Sequence, residues 1–249
     1  MSIKKIIAFG SAKGGVGKSS ITASIALSLS KHKKIGILDA DVYGPNQNIL
    51  FNLDTKNEIV DKQIIPITKK GIKIISMGNI MNYEDAAVWR GPMLSGAIKK
   101  LVHDTNWGEL DYLLIDMPPG TGDVQLSLAQ KTHLSGAVIV STPQDVALLD
   151  ARKGIDMFRQ LNTPLLGMIE NMSTHICSNC GYEEHIFGHG GVANEAKKLG
   201  IPLLAEIPLS LDVRIGADGG VPIVVGKPDS VQAKAFHQIA EQLIEKVRL

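Results

Sequence analysis

Near its start the chain reads Ile6-Ile7-Ala8-Phe9-Gly10-Ser11-Ala12-Lys13-Gly14-Gly15-Val16-Gly17-Lys18-Ser19, an apolar run followed by a glycine-rich segment. The apolar residues 6–9 predict a buried strand, and residues 19–29 are compatible with a helix. The glycine-rich turn between them leaves backbone N–H groups open to phosphate oxygens, while the helix presents its positive end to the same anion. The stretch therefore predicts a phosphate-binding loop.

The loop follows the pattern G-x-x-x-x-G-K-[ST] except at its first position, where Ala12 replaces glycine. In that pattern Lys18 reaches the β- and γ-phosphates and Ser19 supplies a hydroxyl to Mg²⁺. A second lysine, Lys13, lies inside the loop. A glycine-rich turn with two solvated lysines is the alternative, but the flanking strand and helix oppose it. The residues expected to bind the nucleotide are Gly14, Gly15, Val16, Gly17, Lys18, Ser19 and Ser20.

Two further apolar runs end in carboxylates. Residues 35–41 end in Asp39-Ala40-Asp41, and residues 112–116 end in Asp116, followed by a Pro/Gly-rich segment. Parallel strands bring their carboxyl ends to the ligand crevice, so these acids are expected beside the phosphates. Asp116 fits the Walker B position, where a carboxylate holds Mg²⁺ directly or through water. For the Asp39–Asp41 pair, a turn or helix cap is the alternative.

Composition restricts the class of protein. The chain has 249 residues, 44% of them hydrophobic, and 26 basic against 25 acidic side chains give a net charge of +1. With charges so nearly balanced, the chain has no net positive electrostatic field that would attract nucleic acid or an anionic membrane. No apolar run approaches the roughly 20 residues that cross a bilayer, and the N-terminus enters a strand without a signal-peptide core. We therefore expect a cytoplasmic enzyme without a nucleic-acid or membrane partner.

Strand and helix patterns alternate along the chain, which predicts a doubly wound, mostly parallel sheet flanked by helices. The expected domain is a single one over residues 1–249. Residues 52–71 are predicted to form a small hairpin excursion. The predicted strands are 4–9, 34–39, 72–77, 112–116, 137–141, 165–171 and 203–207. The predicted helices are 19–31, 94–104, 123–132, 147–161, 192–199 and 230–247.

The only two cysteines, Cys177 and Cys180, form a C-x-x-C in a loop at about 172–190. Two thiolates cannot fill the four positions of a tetrahedral Zn²⁺ or a 4Fe-4S cluster. In a two-fold dimer the partner's loop would supply the other two thiolates. The alternatives are a zinc site completed by His175, His185 or His189, a redox-active pair, and two unrelated cysteines.

Together these motifs resemble the Mrp/ApbC-type P-loop ATPases of the MinD/ParA class, which carry a deviant Walker A loop. The likeness extends over nearly the whole chain. The stretches that carry it are Lys13 to Ser19, Asp39-Ala40-Asp41-Val42-Tyr43-Gly44-Pro45, Trp89-Arg90-Gly91-Pro92-Met93, Asp116-Met117-Pro118-Pro119-Gly120-Thr121-Gly122-Asp123, Glu170-Asn171-Met172-Ser173 and Cys177 to Gly181.

The resemblance implies an ATP-hydrolysing carrier that delivers iron–sulfur clusters to apoproteins and works with cluster scaffold proteins. It implies a homodimer in which Cys177 and Cys180 of both subunits hold one bridging 4Fe-4S cluster. Within the ATP site, it implies that Lys13 crosses to the partner's nucleotide. It places Asp39 near the Mg²⁺ shell, together with Ser19 and Asp116, and gives Asp41 the role of orienting the attacking water.

Base recognition is predicted at two strand ends. In related ATPases an asparagine at the position of Asn171 reads the adenine edge, and the loop containing Pro208 packs against the ring. An amide suits this role because it donates and accepts simultaneously. A structural Asn171 that caps the next turn is the alternative.

Two other functions use the same loop. A positioning or partitioning ATPase of the MinD/ParA kind needs a basic amphipathic helix to reach a membrane. In residues 230–249, however, the apolar stripe is more typical of a core-facing helix. An ATP-dependent ligase would need a substrate pocket, for which Arg90 is the one candidate anion clamp, with a structural ion pair as its alternative. The apolar stripe consists of Phe236, Ile239, Ala240, Leu243 and Val247.

Overall fold

The computed structural model describes residues 2–80, 91–177 and 179–249, without the side chains of residues 91–95 and 99. Trp89 and Arg90, including the predicted anion clamp, lie outside the described residues. Within these ranges the chain forms a nine-stranded sheet and a separate two-stranded hairpin. The strands are β1 Ser2–Gly10, β2 Ile35–Asp39, β3 Ile59–Val60, β4 Gln63–Ile64, β5 Ile67–Lys69, β6 Ile72–Ser76, β7 Glu109–Asp116, β8 Gly136–Ser141, β9 Leu165–Ile176, β10 Glu183–Glu184 and β11 Leu203–Leu209.

Helices cover both faces of the sheet. The described helices are α1 Lys18–Leu29, α2 Gln47–Leu50, α3 Met77–Ile80, α4 Gly91–His103, α5 Asp123–Lys131, α6 Asp145–Gln160, α7 Gly191–Leu199, α8 Leu211–Asp218, α9 Ile223–Gly226 and α10 Val231–Lys246. No helix within the described ranges combines the length and the apolar character that crossing a membrane requires.

The sheet order explains why the predicted site residues meet. β1 lies between β7 and β8, and β7 lies between β1 and β2, all in parallel. In this register Asp116 is opposite Phe9 on one side and Asp39 on the other. The loop that follows β1 and both carboxylates are therefore at one edge of the sheet, where parallel strands place ligands.

Two apolar layers fill the space between the sheet and its helices. Side chains alternate across β1, so Ile7 and Phe9 face the layer under α1 and α10, while Ala8 faces the layer that includes α6. The apolar stripe of α10 is buried in the first layer, with Phe236 only 1% exposed. The prediction of a core-facing C-terminal helix is confirmed, and that stripe is not free to bind a membrane.

All seven predicted strands and all six predicted helices are present, with ends shifted by a few residues. β9 is the largest departure, because it continues to Ile176 and reaches the cysteines. The predicted excursion at 52–71 contains the β3–β4 hairpin, but it also contains β5, which pairs antiparallel with β6 at the sheet edge. Prediction missed the short helices α2, α3 and α9, and also the eight-residue helix α8.

Candidate nucleotide and metal site

The loop between β1 and α1 has the backbone that phosphate binding needs. Gly15 and Gly17 adopt left-handed conformations, with φ of 80° and 86°. Side chains are rarely tolerated there, so the glycines meet a conformational need. Gly17 is the N-cap residue of α1, and no side chain caps that end. The first N–H groups of the helix are thus left for an external acceptor.

A cleft of about 310 Å³ lies above this loop. Eight of the predicted site residues line it: Gly14, Gly15, Val16, Gly17, Lys18, Ser19, Ser20 and Asp41. The cleft therefore brings the loop and one of the two predicted β2 acids together. Pro119, from the Pro/Gly-rich segment after Asp116, also lines the cleft. Prediction missed the remaining lining residues, which are Ser11, Asn46, Ile49, Leu50, Ala217 and Asp218.

Lys18 forms a buried ion pair with Asp116. Its ammonium donates to Asp116 Oδ1, and the two side chains are 6% and 0% exposed. The other carboxylate oxygen, Oδ2, accepts a hydrogen bond from Gln47 Nε2 at 2.9 Å. Both oxygens of the Asp116 carboxylate thus have a donor from this chain, and an incoming phosphate would compete for Lys18.

Asp39 is fully buried and organises the loop that follows β2. Its Oδ2 accepts hydrogen bonds from the backbone N–H of Asn46 and Gln47, both at 3.0 Å, and from Ser76 Oγ at 2.9 Å. Burial and the nearby charge of Asp116 raise the pKa of Asp39 to about 7, although the hydrogen bonds from Gln47 and Ser76 and the charge of Lys18 lower it. These are contacts of a positioning residue, and direct magnesium ligation by Asp39 stays a prediction.

Asp41 occupies a different environment, at the wall of the cleft. Its Oδ1 accepts from the backbone N–H of Tyr43 and Gly44, at 3.2 and 3.1 Å. Burial raises the pKa of Asp41, while the charge of Lys18 and these hydrogen bonds oppose the rise. The turn thus fixes one carboxylate oxygen of a residue that lines the cleft, and the role of Asp41 in orienting water stays a prediction.

The residues present fit a magnesium ion. Ser19 lines the cleft, the carboxylate of Asp116 is at the adjoining strand end, and both are linked through the side chain of Gln47. Gln47 Oε1 is buried and has no hydrogen-bond partner in the protein. Mg²⁺ retains several waters and prefers oxygen ligands, so a hydroxyl and a carboxylate beside an unpaired buried acceptor suit the ion.

Lys13, Asn171 and Pro208 were also predicted at the site, but they do not line the cleft. Lys13 is exposed, which leaves its side chain accessible to a second subunit. Asn171 is half-buried, and its Nδ2 donates to the carbonyl of Val16 in the loop at 2.8 Å. The structure therefore places Asn171 against the phosphate loop, and its adenine contact, like that of Pro208, stays a prediction.

The two cysteines lie on a tight hairpin at the end of β9. The backbone N–H of Cys177 donates to the carbonyl of Tyr182, and that of Gly181 donates to the carbonyl of Cys177, both at 2.9 Å. Both thiols are free, with Cys177 half-buried and Cys180 exposed. Backbone hydrogen bonds from Cys180 and Asn179, together with one from the Cys180 side chain, lower the pKa of Cys177. The hairpin thus favours a thiolate, which is the form that binds metal.

The histidines near the hairpin do not join the cysteines. The rings of His185 and His189 lie against each other, 4.2 Å between centroids, and His185 Nδ1 is 3.4 Å from the carbonyl oxygen of Ser173. Within residues 2–80, 91–177 and 179–249, no three His, Cys, Asp or Glu side chains are grouped to hold a metal ion. The described part of one chain therefore offers two thiols and no completed zinc site.

Helix α8, which prediction missed, begins with a sequence pattern that is typical of a helix N-terminus. The residues Ala217 and Asp218 that line the cleft belong to α8, and Ser210 caps this helix by accepting from the N–H of Asp212 at 3.2 Å. A serine followed by an acid in the first turn is a typical helix start. Its position at the cleft, however, depends on the tertiary fold.

Comparisons with known proteins agree with this geometry. The ParA family model, described as NUBPL iron-transfer P-loop NTPase, matches residues 2–244. An iron-sulfur cluster carrier protein of Pseudomonas fragi is 50% identical over 96% of this chain and 84% of its own length. The iron-sulfur protein required for NADH dehydrogenase of Arabidopsis thaliana is 47% identical, over 99% and 80%.

Solved structures show the same fold. A nucleotide-binding protein from Archaeoglobus fulgidus in complex with ADP superposes with a TM-score of 0.78 at 39% identity, over 92% of this chain and 90% of the other. The cell division ATPase MinD of Pyrococcus furiosus has a TM-score of 0.77 at 24% identity, over 98% and 99%. At that identity the MinD likeness concerns the fold alone.

Proposed function

The chain belongs to the NUBPL iron-transfer P-loop NTPases of the ParA family, and on that premise we propose that it is an ATP-hydrolysing iron–sulfur cluster carrier. In this proposal residues 1–249 act as one ATPase domain with a metal-binding loop at about 172–190. The observation that carries it is the exposed Cys177–Cys180 hairpin at the end of β9, the strand whose Asn171 touches the phosphate loop.

The nucleotide half of the function uses the cleft. The loop amides and the N-terminus of α1 bind the phosphates of ATP, and Lys18 exchanges Asp116 for the β- and γ-phosphates. Ser19 and Asp116 would hold Mg²⁺, with Asp39 nearby. When bound, the ion neutralises charge on the phosphate oxygens. Asp41 orients the attacking water, and Lys13 of the partner subunit approaches the same nucleotide.

The cluster half of the function follows from a count of ligands. A 4Fe-4S cluster takes four thiolates, whereas one chain supplies Cys177 and Cys180. We infer that two copies meet across a two-fold axis and share one cluster. Exposed apolar side chains surround the hairpin and support this interface: Ile176, Tyr182 and Ile186 are 48%, 67% and 53% exposed. Surfaces of this kind favour a protein partner.

Transfer to apoproteins requires that the cluster be released. The cluster is cargo here, and it lies between subunits that the nucleotide also joins through Lys13. Hydrolysis and product release would weaken this contact between the subunits and expose the cluster to an apoprotein or a scaffold protein. We also infer that the carrier works in the cytoplasm, because the free thiols it depends on persist in a reducing compartment.

Anaerobic reconstitution tests the proposal. The purified chain is incubated with iron and sulfide, and its absorption spectrum, iron, sulfide and zinc contents and solution mass are measured. We expect about four irons per dimer and ATP turnover by the same preparation. A cluster-loaded monomer, or one zinc per chain without sulfide, would refute the bridging cluster.

A further inference from the structure

Gln47 contacts all three residues assigned to the magnesium site, Ser19, Asp39 and Asp116, although it does not line the cleft. It is the first residue of α2 and is completely buried. Its side-chain Nε2 donates to Asp116 Oδ2 at 2.9 Å and to the carbonyl oxygen of Ser19 at 3.1 Å. Its backbone N–H donates to Asp39 Oδ2 at 3.0 Å. One residue thus connects the two buried carboxylates with the first turn of α1.

The amide orientation follows from these partners. Both groups that Nε2 contacts are acceptors, so the opposite orientation would place an amide oxygen against two other oxygens. The remaining oxygen, Oε1, is buried and has no partner in the protein. An unpaired buried acceptor is unfavourable, and such groups commonly mark a site that a ligand or water completes.

The two oxygens of the Asp116 carboxylate accept hydrogen bonds from different residues. Oδ1 is held by Lys18, which is also the residue that a phosphate would attract away. Oδ2 is held by Gln47, an uncharged donor that the charge of a bound phosphate does not attract away from Asp116. When Lys18 leaves Asp116, Gln47 still fixes the direction of the carboxylate.

We propose that Gln47 is a positioning residue of the magnesium site. Its amide N–H groups orient Asp116 and the Ser19 turn toward the ion, and its free Oε1 accepts a hydrogen bond from a water bound to the ion. This inference rests on the proposed function, because it presumes a Mg²⁺–nucleotide complex in the cleft. Groups outside the ligand shell that orient ligands typically change metal affinity about 10- to 100-fold when they are removed.

The test is a Mg²⁺ titration of the ADP complex of Gln47→Met, which keeps the volume of the side chain and removes its donors and acceptor. Affinity for a fluorescent ADP is measured in EDTA and at increasing MgCl₂. We expect Mg²⁺ affinity of the ADP complex to fall by about 10-fold or more, with ADP affinity in EDTA unchanged. Gln47→Asn keeps an amide but is too short to reach both acceptors, so we expect it to lower Mg²⁺ affinity as well. This second variant tests the proposal if Gln47→Met does not fold.

Asn79→Leu is the matched control. Asn79 is also a buried amide that donates to two carbonyl oxygens, those of Leu53 and Thr55, and has an unpartnered Oδ1, but these acceptors lie outside the cleft. We expect it to lose stability without a change in Mg²⁺ affinity. Wild-type Mg²⁺ affinity in folded Gln47 variants, or an equal loss in EDTA, would overturn the proposal. A wild-type chain that binds no ADP in either condition would instead refute the nucleotide function itself.

Discussion

Lys18 and Asp116 are 98 residues apart in the sequence, yet they form an ion pair that is almost completely removed from solvent. Taking two charges out of water is costly, so each depends on the other while no ligand is present. A bound phosphate offers Lys18 a second anionic partner, and Asp116 becomes free for a cation. The pair therefore keeps the two charges of the nucleotide site in position before the nucleotide arrives.

Lys18→Ala should abolish ATP hydrolysis, because charge on the transferring phosphoryl group goes uncompensated. It should also lower the free energy of unfolding by about 3–5 kcal/mol, since the Asp116 carboxylate stays buried without its partner. Turnover and thermal unfolding check both effects. Adding Asp116→Asn should restore much of the stability without restoring turnover. Normal turnover in Lys18→Ala would remove the phosphate-loop assignment.

Lys13→Ala should keep appreciable nucleotide binding and lose hydrolysis. The exposed Lys13 does not line the cleft of its own chain, so the ground-state contacts come from the rest of the loop. A cationic residue supplied in trans contributes on the order of 10³-fold in rate. Binding of a fluorescent ATP analogue and phosphate release measure the two quantities. Lys62→Ala, an exposed lysine elsewhere, is the control, and equal loss of binding and turnover in Lys13→Ala would contradict a role in trans.

Asp41→Asn should slow hydrolysis by about 10²-fold while a nucleotide-bound dimer still forms. The amide oxygen can still accept from the N–H groups of Tyr43 and Gly44, so the turn is kept while the negative charge beside the water is lost. Single-turnover rates and light scattering in ATP distinguish the two effects. Unchanged turnover would show that Asp41 does not orient the water.

Much of this site was readable from sequence, because its residues follow strand ends in a parallel sheet. Asp39 and Asp116 are opposite each other in register, Asp116 lies next to the strand that leads into the phosphate loop, and Asp41 lines the cleft above that loop. Hydrophobic periodicity locates the strands, and the glycine-rich and acidic motifs at their carboxyl ends supply the site residues.

The rest of the site depends on tertiary contacts that leave no local pattern. Gln47 lies in a four-residue helix and is a buried polar residue, which composition and periodicity give no reason to expect. The resemblance predicts Asn171 at the adenine, and that stays a prediction; its contact with the Val16 carbonyl arises because β9 passes the loop. The Cys177 hairpin was recognised as a motif, whereas its attachment to β9 required the observed length of that strand.

Asn171→Ala should weaken binding of both ATP and GTP, and that of ATP more. Loss of the hydrogen bond to the Val16 carbonyl loosens the phosphate loop, which lowers affinity for either nucleotide. Loss of the adenine contact would lower affinity for ATP alone, and one good bidentate contact to a base is worth about 1–3 kcal/mol. Competition binding with both nucleotides separates these effects. Equal losses would leave Asn171 as a residue that supports the loop.

Cys177→Ala or Cys180→Ala should each remove the bound cluster and its transfer while leaving ATP binding largely intact. Either change leaves one thiol per chain and two per dimer, too few for a cluster that takes four ligands. The cleft contains neither cysteine, so the phosphate contacts are kept. Iron and sulfide per chain, measured together with solution mass and ATP affinity, check this.

His185→Ala combined with His189→Ala is the control and should retain the cluster, because these rings contact each other and belong to no group of three metal ligands in the described chain. Iron retained by either single cysteine variant, or lost from the histidine variant, would mean that the cluster is not held by the four thiolates of a dimer.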